Sequence, residues 1–238
     1  MRSSYHGGFS RGVDGRFGAC SRHSAAGTVA PDGCNVQPVS RRVNSFLKRA
    51  LDIVCSISGL LLLSWVIALA WSVSAWQSGG NGFFIQKRVG RHGRQFSLFK
   101  IKTMYDDRHG TRSPVTTGGM ELLPAGAWMR RHRIDELPQL LHVLLGQMSL
   151  VGPRPDVPGY ADRLHGEERL ILRLRPGITG PATLKFRDEE QLLAMSGDPV
   201  RYNDEVIWPE KVRLNLAYYY ANNLLTDIGY VLRTLTGT

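Results

Sequence analysis

The chain has 238 residues, a formal charge of +10 and a pI near 9.9. That length fits one globular domain with appendages, and the charge points to an anionic partner: nucleic acid, a phospholipid surface or a phosphorylated substrate. Cys20, Cys34 and Cys55 form no CxxC pair and no even framework, which argues for a reducing compartment, and the seven histidines lack HxxxH and HExxH spacing, which argues against zinc.

Residues 1–40 are mostly Gly, Ser, Ala and Arg with too few large apolar groups for a core, and read as a disordered basic tail. Arg41, Arg42, Lys48 and Arg49 then precede an uncharged run from Ile53 to Trp76. That run makes about 36 Å of helix at 1.5 Å per residue, enough to cross a hydrocarbon core. Lys87, Arg88, Arg91 and Arg94 follow it, so the flanking positive charge is tied and both ends favour the cytoplasm. A re-entrant membrane segment over 41–78, broken near Ser56, Ser58, Gly59 and Ser64, satisfies that tie; a straight spanning helix is the alternative, since no proline interrupts the run.

Residues 79–238 read as the cytoplasmic part. Gly79 to Gly82 predicts a turn, and Phe83 to Met104 (FFIQKRVGRHGRQFSLFKIKTM) two strands around a glycine-containing turn, its basic residues forming a solvated rim at the lipid surface. Tyr105 to Met120 is a polar loop, and Leu122 to His132 a short helix ending in Arg130, Arg131 and Arg133. In RIDELPQLLHVLLGQMSLVGPRP, Arg133 to Pro155, the spacing of Leu137, Leu140, Leu141, Leu144 and Leu145 predicts one apolar helix face. Pro138 suits only a first turn, so this helix is expected to begin near Asp135, whose charge the helix end would stabilise. By local pattern Asp135 is an N-cap and Arg154, between Pro153 and Pro155, a surface-turn residue; equally, the two prolines preorganise Arg154 for a phosphate. Further on, Asp162 to Leu174 has helical spacing, RPGITG (Arg175 to Gly180) reads as a tight turn, and Lys211 to Ala221 and Thr226 to Leu235 as helices with an aromatic edge.

Adjacent carboxylates without His or Cys partners can hold Mg²⁺ or attack phosphorus, and arginines can offset charge during phosphoryl transfer. No GxxxxGK[ST] loop is present, so side chains must grip any nucleotide. A transfer at a lipid phosphate uses the carboxylates, the arginines and the membrane segment together.

The pieces KRALD (Lys48 to Asp52), Phe83 to Met104, Arg133 to Pro155 and RPGITG, in this order, resemble the bacterial sugar transferase family of small monotopic phosphoglycosyl transferases. The resemblance covers all but the first 40 or so residues. It implies a mainly helical α/β fold: a re-entrant membrane helix, a small catalytic domain with a short β-hairpin, and interfacial amphipathic helices. It implies transfer of a sugar 1-phosphate from a nucleotide diphosphate sugar, usually a UDP-sugar, to polyprenyl phosphate at the cytoplasmic face of a bacterial inner membrane. Asp135 would be the nucleophile of a covalent phosphosugar intermediate, Glu136 and Mg²⁺ its support, with the dyad as metal ligands. Lys100, Arg130, Arg154 and Arg187 would bind the substrate phosphates. Membrane lipids are implied as partners and nucleic acid is not. Departures are Ser64-Trp65 for the usual Ser-Pro, Asn81-Gly82 for Gly-Pro, His142 for asparagine, and Pro181-Ala182 and Phe186-Arg187-Asp188 after RPGITG, which point to a different sugar preference. A lipid (di)phosphate hydrolase and a non-enzymatic basic surface protein are the other readings.

Overall fold

A computed structural model describes residues 38–105 and 121–236, with side chains from Ser45 onward. Of the tail expected over 1–40, residues 1–37 lie outside the described residues, as do residues 106–120 of the polar loop, whereas residues 38–40 are helical and not a disordered tail. The fold is mainly helical, with one antiparallel hairpin and one small parallel pair of strands.

Helix α1 runs unbroken from Pro38 to Ser78. Proline at its first position costs no hydrogen bond, and no later proline interrupts it. Gly79 ends it at φ +65°, while the Gly80 amide donates to the Ala75 carbonyl at 3.2 Å, a Schellman closure. The break expected near Ser56 to Ser64 does not form: Ser64 turns its hydroxyl back to the Leu61 carbonyl, and the helix continues. One stripe, Asp52, Ser56, Ala70 and Ser74, is buried, while Val54, Leu61, Leu62, Trp65, Leu69 and Trp76 are exposed. This is one helix long and apolar enough to cross a membrane.

Both ends of α1 are tied to the same folded unit. Near its start, Arg49 donates to the carbonyls of Val143 (2.7 Å) and Leu144 (2.9 Å), and Asp52 accepts from the Leu150 amide and the Ser149 hydroxyl. Near its end, the Ser74 hydroxyl donates to the Lys102 carbonyl and Gln77 accepts from the Ala125 amide. These anchors account for KRALD: its charged side chains clamp the helix to the domain.

Strands β1 (Phe83–Val89) and β2 (Gln95–Ile101) pair antiparallel from Phe83↔Ile101 to Val89↔Gln95, as expected. Helix α2 is shorter than the sequence predicts, Gly126–Arg131, because Pro124 precedes it. Then α3 (Gln139–Leu144) leads into β3 (Ser149–Val151), which pairs in parallel with β4 (Gly177–Thr179). RPGITG is therefore a strand and not a tight turn. The reason is steric: a Cβ on Gly177 would lie 2.1 Å from the Gly152 amide nitrogen, so only glycine lets the backbones meet. Asp162 to Leu174 forms short 3-10 turns in place of the expected helix. Helices α4 (Pro181–Lys185), α5 (Glu189–Met195) and α6 (Pro199–Tyr202) precede α7 (Trp208–Ala221) and α8 (Leu224–Thr236), the last two as predicted.

The predicted leucine stripe faces partly outward. Gln139, His142 and Val143 are buried, whereas Leu141 and Leu145 are exposed and Leu140 packs towards Gly59 of α1. His142 holds α3 to β2: its Nε2 accepts from the Phe99 amide at 3.0 Å, and its Nδ1 hydrogen-bonds Gln147 at 2.6 Å. Leu225, Ile228, Leu232 and Leu235 likewise make an exposed apolar face on α8.

Candidate active site

Asp135 and Glu136 do not start a helix. Arg133 sits at φ +54°, a left-handed conformation uncommon outside glycine, and sends the chain into a 3-10 turn over Ile134–Glu136. The α-helix begins four residues after Asp135, which caps nothing, so the expected helix-end stabilisation is absent. Both carboxylates are buried instead.

Their surroundings differ. Glu136 Oε1 accepts from Arg154 Nη2 at 2.6 Å and Oε2 from Arg133 Nη1 at 3.3 Å. Burial pushes the Glu136 carboxyl up, but Arg154, Arg133 and Lys100 outweigh it and hold its pKa below the ordinary value. No described side chain or amide hydrogen-bonds the Asp135 carboxylate. Burial, and then the Glu136 charge, push its pKa up to about 6, against the pull of Lys100, Arg130 and Arg154. Asp135 is thus an anion at neutral pH that its surroundings leave unneutralised by any direct partner, in contrast to the stabilised anion the sequence predicts.

The six site residues expected from the sequence, Asp135, Glu136, Lys100, Arg130, Arg154 and Arg187, all line one cleft of about 900 Å³. Lys100 reaches it from β2, its ammonium 5.0 Å from the ring of its cross-strand partner Phe84. Burial, and then Arg130, lower the Lys100 pKa. Arg130, from the last turn of α2, donates to Glu190 at 2.9 Å. Arg154 stands half exposed at the wall, and the Glu136 charge raises its pKa, against burial, which lowers it. Arg187 lies on the exposed segment between α4 and α5.

Further charged residues line the cleft, among them Arg88, Asp156 and Lys211. Arg88 was expected in the lipid-facing rim, but it donates to the Pro155 carbonyl (3.1 Å) and to Gln86 (2.7 Å), and burial followed by Arg154 lowers its pKa to about 10. Lys102 too is buried and not part of a solvated rim. The strand period separates these cases: Phe84, Gln86 and Arg88 share the hairpin face of Lys100, while Ile85 and Lys87 are exposed. Asp156 is pushed up to about 6 by burial, and Lys211 pairs with Glu189 at 2.7 Å.

Among the described residues no three His, Cys, Asp or Glu side chains are placed to share a metal ion. Two adjacent carboxylates fit Mg²⁺, which keeps waters and substrate oxygens among its ligands and needs no protein cage. The free carboxylate of Asp135 is the better donor, because arginines already occupy both oxygens of Glu136.

A buried anion faced by cations in one cleft, attached to an apolar helix, is the arrangement a phosphoryl transferase at a membrane requires. The bacterial sugar transferase family model matches residues 43–238. The chain belongs to the bacterial sugar transferase family. It is 34% identical over 158 residues to the undecaprenyl-phosphate galactose phosphotransferase of Salmonella typhimurium, covering 60% of this chain and 33% of that one. It is 35% identical over 196 residues to the undecaprenyl-phosphate glucose phosphotransferase of Komagataeibacter xylinus, covering 79% and 35%. With the exopolysaccharide production protein ExoY of Sinorhizobium fredii the identity is 27% over 213 residues, covering 82% and 86%. The chain therefore spans about a third of the galactose and glucose phosphotransferases and most of ExoY.

Proposed function

We propose that this bacterial sugar transferase moves a sugar 1-phosphate from a UDP-sugar to polyprenyl phosphate, the opening step of exopolysaccharide assembly. The observation that carries this reading is Asp135: buried, without a hydrogen-bonding partner among the described residues, and faced by Lys100, Arg130 and Arg154 in a cleft large enough for a nucleotide sugar. An Asp135 oxygen attacks the phosphorus that bears the sugar. The bond to the UMP oxygen breaks, UMP leaves, and the sugar phosphate stays on Asp135 as an acyl phosphate. The phosphate oxygen of polyprenyl phosphate then attacks the same phosphorus, the acyl–phosphate bond breaks, and the carboxylate returns. Lys100, Arg130 and Arg154 face the charge on the transferring group, and Arg187 extends the cationic wall. Mg²⁺, held by Asp135 and Glu136, would neutralise diphosphate oxygens when bound.

The anchor, in this reading, does not span: both ends of α1 stay on the cytoplasmic face of the inner membrane. Contacts of Arg49 and Ser74 with one folded unit support this, because a spanning helix would carry one end away from it. The outward leucines of α3 and α8 then lie in the lipid interface.

Asp135→Asn in the full chain is expected to abolish UMP release and the phosphosugar adduct while leaving membrane attachment intact; full activity would sink the mechanism. A lipid phosphate hydrolase would release phosphate without polyprenyl phosphate, whereas transfer requires the acceptor for sustained UMP release.

A further inference from the structure

Within the described residues six buried side-chain polar atoms have no hydrogen-bond partner, and three of them, Arg88 Nε, Thr183 Oγ1 and Asn215 Oδ1, belong to residues lining the active-site cleft. Native proteins seldom leave such atoms unpaired, since each costs about 1–3 kcal/mol unless water or a ligand meets it. Thr183 and Asn215 are both more than nine-tenths buried. Neighbouring polar groups are paired: Asn203 donates to Tyr160 at 3.2 Å, and Lys211 to Glu189.

Thr183 lies on α4, which packs on α7, and α7 presents Trp208, Lys211 and Asn215 to the cleft at helical spacing. Thr183 and Asn215 are uncharged, so they add hydrogen-bonding capacity without phosphate affinity. The cations around Asp135 already account for the phosphates. We propose that Thr183 and Asn215 form a neutral recognition subsite that accepts a hydroxyl or amide hydrogen from the uncharged part of the donor, and so help decide which nucleotide sugar is used. The inference rests on the proposed UDP-sugar reaction and adds a specificity role that the dyad and arginines do not fill. The competing account is a bound water: Asn215 also borders an adjoining cavity of about 20 Å³, room for one.

The test uses the full chain in lipid nanodiscs, with the near-isosteric changes Thr183→Val and Asn215→Leu. Equilibrium binding is measured for UDP-glucose, UDP-galactose, the two UDP-N-acetylhexosamines and UMP. Each variant is expected to lose about fivefold in affinity for the preferred UDP-sugar, the effect of one uncharged hydrogen bond, at unchanged melting temperature. If UMP affinity is unchanged the subsite reads the sugar; if it falls equally it reads the nucleoside. Unchanged affinity for every ligand in both variants overturns the subsite and favours the water. Such a result alongside acceptor-dependent UMP release by the unsubstituted chain leaves the proposed reaction standing. Failure of the unsubstituted chain to bind any donor ends both.

Discussion

Arg154 Nη2 lies 2.6 Å from Glu136 Oε1, joining the rigid proline-flanked arginine to the carboxylate next to Asp135. The pair divides labour within the dyad. Glu136 is charge-matched by two arginines, whereas Asp135 has no direct partner among the described residues, and burial followed by the neighbouring negative charge raises its pKa.

Replacing Arg154 should therefore act on both carboxylates. Arg154→Lys keeps a charge but loses the planar fork, and at least a tenfold loss in adduct formation is expected in a single-turnover assay. Arg154→Ala leaves buried Glu136 with Arg133 alone and should lower stability by about 1 kcal/mol, a figure reduced because Arg154 is half solvated. Equal adduct rates in all three proteins would remove Arg154 from the phosphate site.

The second prediction concerns the clamp between α1 and the domain. Lys48 Nζ donates to Asp227, to the Val151 carbonyl (2.9 Å) and to the Tyr218 hydroxyl (3.2 Å), and Asp227 is almost fully buried. Lys48→Met leaves that carboxylate with the Tyr218 hydroxyl but no countercharge and should cost about 3 kcal/mol. Adding Asp227→Asn should recover part of the loss, so that chemical unfolding of the four proteins of the cycle shows coupling of about 1–3 kcal/mol. Additive effects would show that the clamp contributes no specific pairing.

What could be read from the chain and what could not follows the range of the interactions. α1, the β1–β2 hairpin, α7 and α8 are written in local periodicity and turn glycines. The β3–β4 pair is not, since it joins two three-residue segments about 28 positions apart, and the glycines of RPGITG imitate a turn. The leucines of α3 mislead because an apolar stripe points to a core only where water is the alternative; beside α1 the stripe turns partly outward and His142 takes the inside. The dyad and its four partner cations follow from motifs in order. Arg88, Thr183 and Asn215 become visible only when β1, α4 and α7 share one cleft.

The backbone approach at β3–β4 makes a sharp mutational contrast. An alanine Cβ at Gly177 would meet the Gly152 nitrogen at 2.1 Å and the Thr179 oxygen at 2.6 Å, and neither can rotate away. Gly177→Ala should lower stability by about 2–4 kcal/mol. Gly80→Ala, where a Cβ meets nothing within 4 Å, should change it by less than about 0.5 kcal/mol. Similar unfolding midpoints for the two variants would contradict the parallel pairing.

His142 gives the stability a pH dependence of known sign. Burial lowers its pKa from the ordinary 6.5, opposed by the Gln147 hydrogen bond, because the neutral ring must keep Nε2 as an acceptor for the Phe99 amide. The unfolded chain therefore binds this proton more readily, and the contribution of His142, complete above pH 6.5, is lost as pH falls through the folded value. Asp135 and Asp156, raised to about 6, act in the opposite sense, their contribution falling as pH rises from 3.8 through about 6. The difference between the unsubstituted protein and His142→Gln isolates the histidine. It should shrink on acidification from pH 7.5 to 5.5 in thermal unfolding, and a difference that is flat or grows would mean that His142 is protonated in the fold and that the Phe99 contact is not what secures β2 behind Lys100.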